Sequence, residues 1–146
     1  MQLDLEISAL KKITSNIIKP VTCIIGGSKI STKINIIKNL ISKFDNIIIV
    51  GAMANNLIEH NGYNIGKSLK EENVNSIVND ILSYSKEKNC NIIFPEDVIV
   101  ANDLNGQPKI KELSQIKLDE MILDIGPKTV ESICNIICLL YTSDAA

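Results

Sequence analysis

The sequence contains no arginine; all fifteen of its strongly basic residues are lysine. The planar, bidentate guanidinium that usually clamps a transferring phosphoryl group is therefore missing from this chain. No apolar run approaches the roughly 18–20 residues that cross a bilayer. Residues Met1 to Lys11 carry Asp4 and Glu6 and have amphipathic spacing, not the make-up of a signal peptide. The net charge of −2 gives no basic field for nucleic acid or an anionic membrane, and neither partner is expected. Cys23, Cys90, Cys134 and Cys138 form no CxxC pair. Without an export signal they read as reduced thiols of a cytoplasmic protein. Cys134 and Cys138 lie four apart on one expected helix, but two thiolates with no neighbouring histidine or third cysteine make a poor zinc site, and no metal site is expected. His60, the single histidine, has no evident acid–base partner and reads as a solvated helix end. No internal repeat or low-complexity stretch is present.

The 146 residues are 45% hydrophobic and 22% charged, the balance of one globular domain or of a piece of a larger protein. Leu3, Ile7 and Leu10 recur at helical spacing and predict a helix from 3 to about 15. Pro20 ends it. Val21-Thr22-Cys23-Ile24-Ile25, Ile47-Ile48-Ile49-Val50 and Asn91-Ile92-Ile93-Phe94 read as strands, with Val98-Ile99-Val100 and Met121-Ile122-Leu123 as shorter ones. Between them fall helices on Ile34, Ile37, Leu40 and Ile41, on Met53 to His60, on Glu71 to Lys86 and on Lys128 to Ile137, with Ser31 as the expected N-cap of the first. Residues Asn102 to Lys109 read as a polar loop. Continuously apolar strands alternating with amphipathic helices predict the α/β class: an incomplete Rossmann-like, three-layer parallel sheet with helices on both faces. Ligands of such sheets sit outside the carboxyl ends of the strands, where Gly26-Gly27, Gly51 and Gly126 are expected to converge.

Gly26 and Gly27 allow the backbone to turn sharply and to approach a ligand closely. The following helix would direct its amides and dipole at the same place, and Lys29 and Lys33, four apart, would share its first turn. Read alone, Gly26-Gly27-Ser28-Lys29 is either an anion cradle or a tight turn with solvated lysines. It is neither a GxxxxGK[ST] nor a GxGxxG pattern, which sets aside a dinucleotide-dependent dehydrogenase.

The longer stretch Gly26-Gly27-Ser28-Lys29-Ile30-Ser31-Thr32-Lys33 resembles the signature that opens the nucleotide-binding domain of the phosphoglycerate kinase family. Four further stretches follow in the family's order: Gly51-Ala52-Met53-Ala54-Asn55; Gly62-Tyr63-Asn64-Ile65-Gly66-Lys67-Ser68-Leu69; Pro95-Glu96-Asp97-Val98-Ile99-Val100-Ala101; and Leu123-Asp124-Ile125-Gly126-Pro127-Lys128-Thr129. The resemblance implies a catalytic role for Lys29, which would guide the moving phosphoryl group. It implies nucleotide-phosphate binding by Gly26, Gly27, Ser28 and Lys33, a flat seat for adenosine at Gly51 and Ala52, and packing of Leu123 on the adenine face. Lys67 reads either as a further phosphate ligand or as a fixer of its loop. Where the family usually has three glycines this chain has Val50-Gly51-Ala52, and Ile122 stands where some members have glycine; both bear on the shape of the nucleotide pocket.

The resemblance also implies what the chain leaves out. Residues 1–137 match the first part of the family's C-terminal nucleotide-binding domain, with Met1 in the connecting helix. The 3-phosphoglycerate site and its arginine belong to the other domain, and the magnesium aspartate belongs to a later turn. Residues 138–146 read as a foreign tail. The expected parent is a cytoplasmic, monomeric glycolytic enzyme that passes a phosphoryl group between 1,3-bisphosphoglycerate and ADP, with ATP/ADP and magnesium, and with nucleotide and 3-phosphoglycerate as partners. The chain by itself is expected to be inactive. A non-catalytic nucleotide-binding half-site and an inert truncated product are the alternatives.

Overall fold

The computed structural model describes residues 2–15 and 19–145; Ala146, the last residue of the expected tail, lies outside them. Helix α1 (Gln2–Ser15) precedes strand β1 (Thr22–Gly26). A 3-10 turn (Ser31–Lys33) then leads into α2 (Ile34–Ile41), β2 (Asn46–Val50) and α3 (Ala52–His60). After a strap over residues 61–74 come α4 (Asn75–Glu87), β3 (Asn91–Ile93), β4 (Asp97–Ala101), β5 (Lys109–Glu112), β6 (Met121–Ile125) and α5 (Pro127–Ala145). The last helix runs on to Ala145, into the segment read as a tail.

Strands β1, β2 and β3 form a parallel sheet in that order, with Cys23 opposite Ile47 and Ile47 opposite Ile92. The apolar run of β2 does not alternate because both of its faces are covered: Ile47, Ile48 and Ile49 are 0–1% exposed. On one face, Ile47 and Ile49 meet Ile37 and Ile41 of α2, Met53 and Leu57 of α3, and Val78 and Ile81 of α4. Ile37 and Ile41 are one helical turn apart, so one stripe of α2 enters the core while Ile36 stays exposed.

The α/β class and the parallel sheet of the first half are as the pattern predicts. The second half differs. Here β4 is the middle strand of a separate antiparallel sheet, in the order β5-β4-β6. A parallel pair needs a crossover of about a dozen residues or more, usually a helix. No helix intervenes between β4 and β5, and only a short 3-10 turn (Leu113–Gln115) lies between β5 and β6. The chain therefore folds straight back on itself. Strand β5 escapes an apolar-run search because Lys109-Ile110-Lys111-Glu112 is an edge strand with one apolar residue, and that residue faces outward. Ile58, Ile65, Val98, Val100, Leu113 and Ile116 make a second, smaller core between this sheet, α3 and the strap.

Ile49→Ala should lower unfolding free energy by about 2–5 kcal/mol through lost burial and a residual cavity. Ile36→Ala should stay within about 0.5 kcal/mol. Urea unfolding of both variants checks the contrast.

Candidate functional site

Gly26 pairs with Val50, so β1 and β2 end level and the turns that follow them adjoin. Gly51 has φ 72°, the left-handed region that favours glycine, and a Cβ there would lie 3.2 Å from both the nitrogen and the oxygen of Gly27. The Met53 amide donates to the Gly27 carbonyl at 2.9 Å, tying the start of α3 to the first loop. Lys33 folds back over the same loop. Its Cε is 2.8 Å from where a Gly27 Cβ would be, so glycine leaves the room that the lysine stem fills. Ser28 and Lys29 are exposed, and Lys33 is half-buried. The structure thus brings Gly26, Gly27, Ser28, Lys29, Lys33, Gly51 and Ala52 together at one sheet edge.

Two expectations about this loop are corrected. Lys29 and Lys33 do not share the first turn of α2, because the 3-10 turn Ser31–Lys33 comes first and α2 begins at Ile34. Ser31 does not cap the helix. Its hydroxyl and its amide (3.1 Å) both donate to the carboxylate of Glu71, on the strap. These hydrogen bonds from the Ser31 hydroxyl and then its amide, with smaller help from the Ile30 amide and the Lys29 charge, outweigh burial and hold the Glu71 carboxyl below the usual glutamate range. One amide of the segment that opens the helix, that of Ser31, is therefore already engaged by an internal carboxylate.

Beside Gly51 lies a cavity of about 290 Å³, mostly apolar, lined among others by Ala52, Asn55, Leu69, Leu123 and Ile125. It falls near the small end of ligand pockets, which run roughly 300–1,000 Å³. Leu123, 38% exposed, offers its side chain to this space from β6, and Ile122 lines it too. The apolar cavity and the glycine loop thus share Gly51.

The third glycine turn serves another purpose. A Cβ on Gly126 would overlap the carboxylate of Asp97, which is 2% exposed. That carboxylate accepts from the amides of Lys128 (3.0 Å) and Thr129 (2.8 Å) and from the Thr129 hydroxyl (2.7 Å). It closes the first turn of α5, so Gly126 provides no open anion site. Burial pushes the Asp97 carboxyl up, but the Thr129 and Lys128 hydrogen bonds together hold it below the usual aspartate range. The strap around Gly66 is likewise pinned. Gly66 (φ 58°) lies against the Glu120 carbonyl, the Lys67 amide donates to that carbonyl at 2.9 Å, and the Ser68 hydroxyl accepts from the Ile122 amide at 2.8 Å. Lys67 fixes this loop through its backbone, while the residue itself is exposed.

A family model described as phosphoglycerate kinase matches residues 1–142. The chain belongs to the phosphoglycerate kinase family. It is 42% identical over 134 residues to the phosphoglycerate kinase of Francisella philomiragia, covering 90% of this chain and 34% of that protein. Against the one from Wolbachia pipientis it is 40% identical over 133 residues, covering 90% and 33%. The solved structure of the Coxiella burnetii phosphoglycerate kinase superposes with a TM-score of 0.84 at 36% identity, over 89% of this chain and 34% of that one. The Pyrococcus horikoshii phosphoglycerate kinase shares the fold at a TM-score of 0.69 and 23% identity, over 92% of this chain and 35% of that one. The chain spans about a third of the length of the relatives it matches.

Within the phosphoglycerate kinase frame, the structural part played by two residues beside the site escaped sequence reasoning. Asn55 and Asn56 of α3 are 3% and 5% exposed. Asn55 donates to the Leu69 carbonyl at 2.8 Å. Asn56 donates to the Glu71 carbonyl at 2.8 Å and accepts from the Glu71 amide at 3.2 Å. Two adjacent asparagines inside an otherwise apolar helix were the available signal, since buried amides must be hydrogen-bonded and asparagine is a poor helix former. Among the described residues no group of three histidine, cysteine, aspartate or glutamate side chains could hold a metal ion.

The Asp97 carboxyl sits below its ordinary value when folded. The stability it contributes is therefore present above the unfolded aspartate range, near pH 4, and is lost as pH falls through the folded value. Asp97→Asn should flatten the dependence of unfolding free energy on pH below about 4. Asp97→Ala, which orphans the Lys128 and Thr129 amides, should cost about 1–3 kcal/mol at neutral pH. Urea unfolding across the pH series checks both.

Proposed function

We propose that the chain carries the nucleotide half of a phosphoglycerate kinase active site. In the parent reaction a β-phosphate oxygen of ADP attacks the phosphorus of the acyl phosphate in 1,3-bisphosphoglycerate. The bond to the acyl oxygen breaks, and 3-phosphoglycerate leaves as its carboxylate while ATP forms. The observation that carries this reading is the meeting, at Gly51, of a glycine loop flanked by two lysines and an apolar slot of about the size for a base.

The two lysines differ in a way that suits two tasks. Lys33 is half-buried and laid over Gly27, a fixed charge for the phosphates of bound nucleotide. Lys29 is exposed on a flexible stem, a charge able to follow a phosphoryl group in transit. Gly51 and Ala52 give adenosine a seat without long side chains, and Leu123 packs on the base. Residues 1–137 are assigned to the first part of the C-terminal nucleotide-binding domain. Residues 138–146 are assigned to a tail foreign to the family; α5 continues into it as far as Ala145 and the family match ends within it, at 142. The parent would act as a cytoplasmic monomer. Among the described residues no helix is long and apolar enough to cross a membrane.

In the full-length enzyme, Lys29→Ala should lower kcat about 100-fold with little change in the KM for ADP, the mark of an interaction made in the transition state. Lys33→Ala should raise that KM about tenfold, the loss of roughly one charge-assisted contact. Steady-state kinetics check both, and unchanged constants in the two variants would sink the assignment. The 146-residue chain assayed alone should give no turnover of 1,3-bisphosphoglycerate, yet should bind ADP with a Kd on the order of 1 mM or below in isothermal titration. A silent titration would leave the chain without even the binding role.

A further inference from the structure

We propose that Glu71 is a positioning residue for the phosphate loop, holding Lys29 and Lys33 in register with the base cavity. This rests on the reading of the loop as a nucleotide-phosphate site. Glu71 lies on the strap that follows α3, forty residues beyond Ser31 in sequence. Its carboxylate takes the Ser31 amide and hydroxyl together, one oxygen to each. Such a charge-assisted pair fixes backbone direction as well as side-chain position. Ser31 stands two residues after Lys29 and two before Lys33, so fixing its peptide sets where both lysine stems leave the backbone.

Glu71 is itself held from the other side. Asn56, almost fully buried, binds both the amide and the carbonyl of Glu71. Its neighbour Asn55 binds Leu69 and also lines the base cavity. The relay therefore runs from the turn at Gly51, along α3, through Asn56 to the Glu71 backbone, and across its carboxylate to the lysine loop. The buried asparagine pair means that the strap cannot shift without leaving amide groups unsatisfied. Glu71 does not line the base cavity, and its carboxylate is taken up by Ser31. Its effect is on where the two ammonium groups stand, and misplacement by an ångström is costly in phosphoryl transfer.

The test compares ADP with adenosine, since only ADP reaches the lysine loop. In the 146-residue chain, Glu71→Gln keeps a side chain of the same shape but loses one of the two acceptors, and Glu71→Ala loses both. The Ser31 amide, followed by hydrogen exchange in NMR, should exchange at least tenfold faster in Glu71→Ala, with a smaller gain in Glu71→Gln. ADP binding should weaken about tenfold while adenosine binding is unchanged, and Glu71→Asp should recover part of the loss. Ser31→Ala removes only the hydroxyl contact and should weaken ADP about threefold, which keeps the test available if a Glu71 variant does not fold. Equal weakening of ADP and adenosine, with a lower urea midpoint, would make Glu71 a merely structural residue and overturn the proposal. Unaltered ADP affinity in both Glu71→Gln and Ser31→Ala would do the same. Should the unsubstituted chain bind neither ligand, the nucleotide reading falls on its own, and Ser31 exchange at the wild-type rate in Glu71→Ala then rejects the clamp separately.

Discussion

The hydrogen bond from the Met53 amide to the Gly27 carbonyl, at 2.9 Å, joins two turns that the chain makes more than twenty residues apart. It exists because β1 and β2 are parallel and end level, which puts both turns at one edge. It also requires glycine twice. Gly51 must adopt a left-handed backbone against Gly27, and Gly27 must leave space for Lys33 and Met53. Once those turns touch, the apolar cavity and the lysine loop adjoin, since Gly51 lines the cavity and packs on Gly27. The buried isoleucines of β2 are the foundation under this contact, because a sheet covered on both faces has no freedom to slide its strand ends.

Sequence pattern made the first half of the fold legible. Continuous apolar runs, helical stripes and glycines after strands each follow from a local rule, and all of them agree on a parallel sheet. The same rules misplaced the second half. Val98 to Val100 is as apolar as a parallel-sheet strand because both of its faces are covered: Val98 and Val100 enter the second core against Ile58 of α3, and Ile99 is half-buried on the face toward α5. Apolar content reports burial and not strand direction; the direction is set by the lack of a crossover helix after Ala101. Likewise the site was legible where it depends on backbone shape, at Gly27 and Gly51. It was hidden where it depends on partners distant in sequence. Nothing near Ser31 announces Glu71, and nothing near Gly126 announces that Asp97 of another strand fills its turn.

Those two hidden partners share a physical logic. The segment opening α2 and the start of α5 would each present unsatisfied amides to solvent, the usual lure for a free anion. In each case a carboxylate of the protein takes that place: Glu71 at Ser31, and Asp97 at Lys128 and Thr129. At the candidate loop the side-chain cations are Lys29 and Lys33. This division also fits the absence of arginine. A guanidinium would impose its own planar geometry on a phosphate. An ammonium on a flexible stem imposes none, so its placement has to come from the backbone beneath it. The backbone beneath these two lysines is fixed at Gly27 by Met53 and at Ser31 by Glu71, so the directions in which both stems leave the chain are set by partners outside the loop.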